Sequence, residues 1–292
     1  MFENDAIITA IITPFTDDDQ IDYPALDALI ERLLSEGSTG FVVGATTGES
    51  PNLSHEEKIA LFTHFSAQLH GRGRLIANVG TNSTRQSVAL AQEVSRLAGV
   101  DAVLAVVPYY NKPSQAGMAA HFTAIADASA KPVMIYNIPG RSVVQLSNVT
   151  LAALAQHPNI QAVKQCTTIE DLAWLVQHTP ANFAVYTGDD DQFLDALRVG
   201  ANGVISVASH LYGSQMAAVL AAQQRGQQAE ADAQMAWLVP RMHALFTFPS
   251  PAPVKMMLAR REEVKNKLRL PLLKLNASET AQVLAVLEED AK

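Results

Sequence analysis

Cysteine is almost absent: Cys166 stands alone in 292 residues, so no intrachain disulfide can form. No Cys/His spacing of the zinc-site kind is present either. Positive charge is short as well. The 21 Lys and Arg are outnumbered by 29 Asp and Glu, a net charge of −8, and neutralising a nucleic-acid backbone takes clustered cations. The one basic cluster, Arg260 to Arg269, is interleaved with Glu262 and Glu263 and reads as a solvated helix face. No apolar run reaches the ~18 residues a membrane helix needs. Neither a GxGxxG after a strand nor a Walker Gly-Lys-Ser/Thr ending occurs, which sets aside a dinucleotide fold and a P-loop. The opening residues carry Glu3 and Asp5 and lack the basic segment and cleavage site of a secretory leader. With the lone cysteine, these features set the expectation of a cytoplasmic protein with no membrane and no nucleic-acid partner.

What is present is a regular alternation. Short β-branched runs fall at Ala6 to Ile12, Gly40 to Val43, Leu75 to Val79, Ala102 to Val107, Val133 to Tyr136, Ala162 to Gln165, Phe183 to Tyr186 and Gly203 to Val207. Between them lie segments of helical period, one opened by the capping box Ser54-His55-Glu56-Glu57. Eight strand–helix units predict an α/β fold, a (β/α)8 TIM barrel. The strand signal then stops, and Ser214 to Gln224, Gln228 to Phe246, Pro253 to Leu268 and Ser278 to Glu289 read as helices. With Gly226 as the hinge, residues 1–226 are expected to form the barrel and 227–292 a C-terminal helical extension.

Catalysis in such barrels sits at the strand exits. Lys164 interrupts the buried-strand pattern Ile160-Gln161-Ala162-Val163, where burial disfavours an ammonium ion and favours a nucleophilic amine. A lysine there can equally snorkel to solvent, so its neighbours decide. Tyr136, one strand earlier, would stand at nearly the same height, within reach to exchange protons with a substrate on Lys164. Arg141, just beyond it, offers a planar fork for a carboxylate. Gly44 to Glu49 could present backbone amides and two hydroxyls to an anion, or be a tight turn. Asp189 to Asp191 is read as a helix cap rather than a metal site. The eight histidines are scattered, with no ligand pair at a strand exit, and no metal or organic cofactor is expected.

Taken in order, Gly44-Ala45-Thr46-Thr47-Gly48-Glu49, Pro108-Tyr109-Tyr110, Tyr136-Asn137-Ile138-Pro139-Gly140-Arg141, Val163-Lys164 and Gly188-Asp189-Asp190 resemble the dihydrodipicolinate synthase and N-acetylneuraminate lyase superfamily. The Tyr-Asn-x-Pro-x-Arg and Gly-Asp-Asp motifs look like its synthase branch. The resemblance implies a lyase of lysine and diaminopimelate biosynthesis, condensing pyruvate with aspartate 4-semialdehyde. It implies that Lys164 forms the Schiff base, that Tyr136 shuttles protons, and that Thr47 links Tyr136 to Tyr110 of a neighbouring subunit. It assigns the pyruvate carboxylate to Thr46 and Thr47, the semialdehyde carboxylate to Arg141, and the pocket wall to Gly188 and Ile205. A borrowed tyrosine implies a homo-oligomer, commonly a dimer of dimers.

Two departures stand out. Gln165-Cys166-Thr167 follows the lysine where relatives often carry Glu-Ala-Ser or Glu-Ala-Thr. Lysine-inhibited members resemble this chain at Ser50, His55, Asn82 and Tyr109 but carry histidine and glutamate in place of Lys58 and Gln86. A cation gained and an anion lost disfavour a bound lysine ammonium, so feedback is expected to be weak or absent. Two rival readings stay open: a sialic acid or keto-deoxy-sugar lyase sharing Lys164 and Tyr136, and a non-catalytic barrel that binds a keto acid.

Overall fold

The structure, a computed structural model, describes Phe2 and residues 5–288. Eight parallel strands, β1 (Ile7–Ala10), β2 (Gly40–Val43), β3 (Arg74–Asn78), β4 (Ala102–Val106), β5 (Val133–Asn137), β6 (Ile160–Gln165), β7 (Ala184–Thr187) and β8 (Gly203–Ser206), close into a barrel in sequence order. The first and last strands are joined by pairing Ile8 with Ile205. All eight predicted strands are found, with ends displaced by a residue or two.

The helices between strands are α1 (Tyr23–Ser35), α2 (His55–Leu69), α3 (Thr84–Val94), α4 (Gln115–Ala128), α5 (Asn148–Leu154), α6 (Ile169–His178), α7 (Phe193–Arg198) and α8 (Ser209–Gln224). Their starts are written in the sequence. Ser54 accepts from the Glu57 amide while Glu57 accepts from that of Ser54, and Ser114, Ser147 and Thr168 cap α4, α5 and α6 in the same way from one side. Each satisfies an amide that the first helical turn leaves without a partner.

Side chains alternate along each strand, so the core has two compartments. Ile7, Phe41, Val43, Leu75, Val103, Ile135 and Val163 face the helices, whereas Ile8, Val42, Ile76, Leu104, Met134, Ala162 and Tyr186 fill the barrel interior. This period of two decides where Lys164 goes. Ala162 is interior and Val163 exterior, so Lys164 returns to the interior.

Past α8 the chain forms α9 (Gln228–Ala244), α10 (Ala252–Arg260) and α11 (Ala277–Leu287). The expected helix from Pro253 to Leu268 is cut short at Arg260, because Glu262 takes a left-handed backbone (φ 59°) that no α-helix continues. The expected end of the last helix, Glu289, lies outside the described residues. Among the described residues no helix is long and apolar enough to cross a membrane.

Candidate active site

Tyr136 and Lys164 are direct partners in the β5–β6 register. Two side chains on the same interior row of adjacent strands must meet, and Nζ of Lys164 lies 4.5 Å from the centroid of the Tyr136 ring. Both are buried, at 6% and 4% exposure. Burial lowers the Lys164 pKa, with the carboxylates of Asp189 and Asp190 pulling the other way. Among the described residues Lys164 has no ion-pair partner. The amine is thus aimed into a closed interior, held by an aromatic face and poised toward its neutral form.

The Tyr136 phenol is raised well above its ordinary value by burial, so it stands as a proton donor rather than a phenolate. Arg141 and the Thr46 side chain pull the other way. Gly44 (φ 63°) and Glu49 (φ 55°) turn the loop after β2 left-handed; within it Thr46 lines the cavity and the adjacent Thr47 is buried at 5% exposure.

Thr46, Asn78, Tyr136, Ile138 and Arg141 line a cavity of about 230 Å3 that continues past Ser50, Lys58 and Tyr109. Arg141 sits in a one-turn helix, Pro139–Ser142, directly after β5. Its guanidinium is exposed and makes no ion pair among the described residues, so its fork is open to an anionic ligand. A larger cavity, of about 750 Å3, lies at the opposite end of the barrel between Asp5, Glu31, Arg72 and Arg74. There the arginines are already taken, Arg72 by Glu31 and Arg74 by Asp5.

Gly188 follows β7 and abuts the lysine. A Cβ at that position would stand 2.3 Å from Sγ of Cys166 and 2.6 Å from Cε of Lys164, so only glycine leaves the lysine its path. Ile205 is fully buried in the barrel interior with Tyr136 and Ala162. Tyr110 is apart from all of these: it is 86% exposed, on a left-handed backbone (φ 74°) after β4.

The acidic run does something other than capping its own helix. Asp190 Oδ2 accepts from the amides of Val207 and Ala208 at 3.1 and 2.9 Å, tying the β7 exit to the β8 exit. The Asp189 carboxyl is pushed up to about 6, first by burial and then by its acidic neighbours. Cys166, set aside on the sequence, lies against Tyr136 and Gly188, and burial pushes its thiol up to about 12. Its position two residues beyond Lys164, on the same interior row, was the signal. No group of three or more His, Cys, Asp and Glu side chains able to hold a metal ion occurs among the described residues.

Comparison with known proteins places this geometry. The sequence model of the dihydrodipicolinate synthetase family matches residues 3–290. The chain is 53% identical to the 4-hydroxy-tetrahydrodipicolinate synthase of Leuconostoc citreum over 99% of its own length and 100% of that protein's. It is 51% identical to the enzyme of the same name from Limosilactobacillus fermentum over 97% of this chain and 91% of that one. Among solved structures it is similar to dihydrodipicolinate synthase DapA-2 of Bacillus anthracis, with a TM-score of 0.96, 42% identity and 99% of both chains covered.

Proposed function

The chain belongs to the dihydrodipicolinate synthetase family, and from that premise we propose that it condenses pyruvate with aspartate 4-semialdehyde to 4-hydroxytetrahydrodipicolinate, through a Schiff base on Lys164. The observation that carries this reading is the buried amine of Lys164 directly beside the Tyr136 phenol.

The neutral amine attacks the ketone of pyruvate, and loss of water leaves an imine whose protonated nitrogen draws electrons from the adjacent methyl. A proton leaves that methyl, the enamine forms a carbon–carbon bond to the aldehyde, and the new alkoxide takes a proton. Tyr136 delivers and recovers these protons, with Thr47 linking it to Tyr110. The semialdehyde's own amine then attacks the imine carbon, which closes the ring and frees Lys164. Thr46 and Thr47 hold the pyruvate carboxylate, and Arg141 takes that of the semialdehyde at the rim. No metal or organic cofactor enters this sequence.

Tyr110, 86% exposed, completes the relay from a neighbouring subunit. The active form is then a homo-oligomer, a dimer of dimers, and the protein works in the cytoplasm. Within the same reading, residues 1–226 are the catalytic barrel and 227–292 a helical domain.

The test is intact-mass spectrometry after borohydride reduction in the presence of pyruvate. An adduct that maps to Lys164 and is lost in Lys164→Ala is expected. Its absence from the unmodified chain would remove the Schiff-base chemistry, and turnover of a sugar-derived acid in preference to the semialdehyde would move the activity to the lyase branch.

A further inference from the structure

Lys255 lies in α10 among Pro253, Val254, Met256 and Leu258, every one of them buried. Its own side chain is 0% exposed, and so is that of its partner, Glu49. Nζ donates to Glu49 Oε1 at 2.5 Å and to the Lys267 carbonyl at 2.9 Å, and sits 4.3 Å from the Phe15 ring centroid. The second carboxylate oxygen of Glu49 accepts from the Arg269 amide at 3.0 Å. A satisfied buried ion pair of this kind gives little net stability over well-packed apolar residues of similar size. What it gives is a fixed geometry.

That geometry bears on the loop after β2. The Glu49 amide donates to the Thr46 carbonyl at 3.1 Å, and that of Ser50 to the Ala45 carbonyl at 3.0 Å. Thr13 Oγ1 donates to the Gly48 carbonyl at 2.8 Å. Glu49 therefore closes the turn that carries Thr46 and Thr47 through its backbone, and anchors that turn to residues 255–269 through its carboxylate. Its left-handed backbone (φ 55°) is a conformation that a glutamate keeps only where its surroundings hold it.

We propose that Glu49 and Lys255 are positioning residues: the buried pair by which the C-terminal helical segment sets the Thr46–Thr47 turn, so that its hydroxyls are held for the substrate carboxylate. The inference rests on the Schiff-base reading, from which its test is separable. It assigns the helices past the barrel a part in catalysis although they carry no group that touches substrate.

The experiment compares the unmodified chain with Glu49→Gln/Lys255→Met and with Lys255→Arg. The double variant leaves no unpaired buried charge, and Lys255→Arg keeps the charge with a different head group. Thermal midpoint, kcat, KM for each substrate and borohydride trapping of pyruvate are measured on each. The expected result is a folded double variant whose Lys164 is still trapped at saturating pyruvate, with KM for pyruvate raised roughly 10- to 100-fold, as for a displaced substrate anchor. KM for the aldehyde should change little, and Lys255→Arg should fall between. Unchanged KM for pyruvate in a folded double variant overturns the proposal, as does a double variant that cannot fold, because the pair is then a requirement of the fold alone. An unmodified chain that traps no pyruvate overturns the Schiff-base reading instead.

Discussion

Tyr136 and Lys164 occupy the same rung of the barrel, paired in the β5–β6 register with the lysine nitrogen 4.5 Å from the tyrosine ring centroid. The ring and the hydroxyl of Tyr136 can therefore be separated by substitution. Tyr136→Phe keeps the face that packs against the amine and removes the proton. Turnover should fall by roughly 10²–10⁴-fold, the usual contribution of a positioned acid–base group, while pyruvate is still trapped on Lys164 by borohydride. A variant with near-normal turnover would take the proton transfers away from this residue.

Gly188 sets a steric limit on the same amine. Gly188→Ala would place a methyl 2.6 Å from Cε of Lys164 and 2.3 Å from Sγ of Cys166. We expect adduct formation to be severely slowed in a protein whose circular dichroism is close to normal, with partial recovery in Gly188→Ala/Cys166→Ala. Recovery is partial because the lysine contact persists after the sulfur is gone. Unimpaired trapping in the single variant would show that the lysine can take another path.

The carboxyl of Asp189 has a pH signature. Burial pushes it up to about 6, so the folded chain holds its proton more tightly than the unfolded chain does. Its ionised form therefore opposes folding fully above about pH 6, and the opposition fades as the pH falls through 6 toward the ordinary aspartate value. Asp189→Asn should stabilise the protein by about 1–3 kcal/mol at pH 7 and by almost nothing near pH 4. Equal stabilisation at both pH values, followed by thermal unfolding, would assign the effect to packing.

Lysine feedback tests the far end of the cavity. Lys58 of α2 lines it beside Ser50 and Tyr109, with burial lowering its ammonium pKa, and Gln86 is exposed on α3. A free lysine ammonium brought here meets a cation and finds an amide in place of a carboxylate. L-lysine should leave turnover unchanged at physiological concentrations, and Lys58→His/Gln86→Glu should introduce inhibition. Potent inhibition of the unmodified chain would contradict the charge argument.

Much of the fold was legible because the barrel writes itself twice, as β-branched runs and as polar caps such as Ser54 and Thr168 at the helix starts. Lys164 was legible because an apolar run was interrupted by a charge. Lys255 interrupts Pro253-Val254-Met256-Met257 in the same manner, but its partner Glu49 is 206 positions away and no local pattern joins them. The shape of the loop after β2 was hidden for another reason. It depends on the left-handed turn at Gly44 and Glu49, a backbone property that two adjacent threonines do not disclose. The helix dipole predicts a cap at Asp190, but Asp190 Oδ2 accepts from the amides of Val207 and Ala208 at the next strand exit.

The packed interior of the barrel has a consequence for traffic. Phe2, Ile8, Val42, Ile76, Leu104, Met134 and Tyr186 plug the tube beneath Lys164, so the site is a blind alley with one doorway. Whatever bonds to the amine must go in first and whatever meets it must queue behind, while the ring-closed product backs out past the same threshold. An aldehyde that enters first would block the alley, so initial-rate kinetics are expected to show the keto acid adding before the aldehyde.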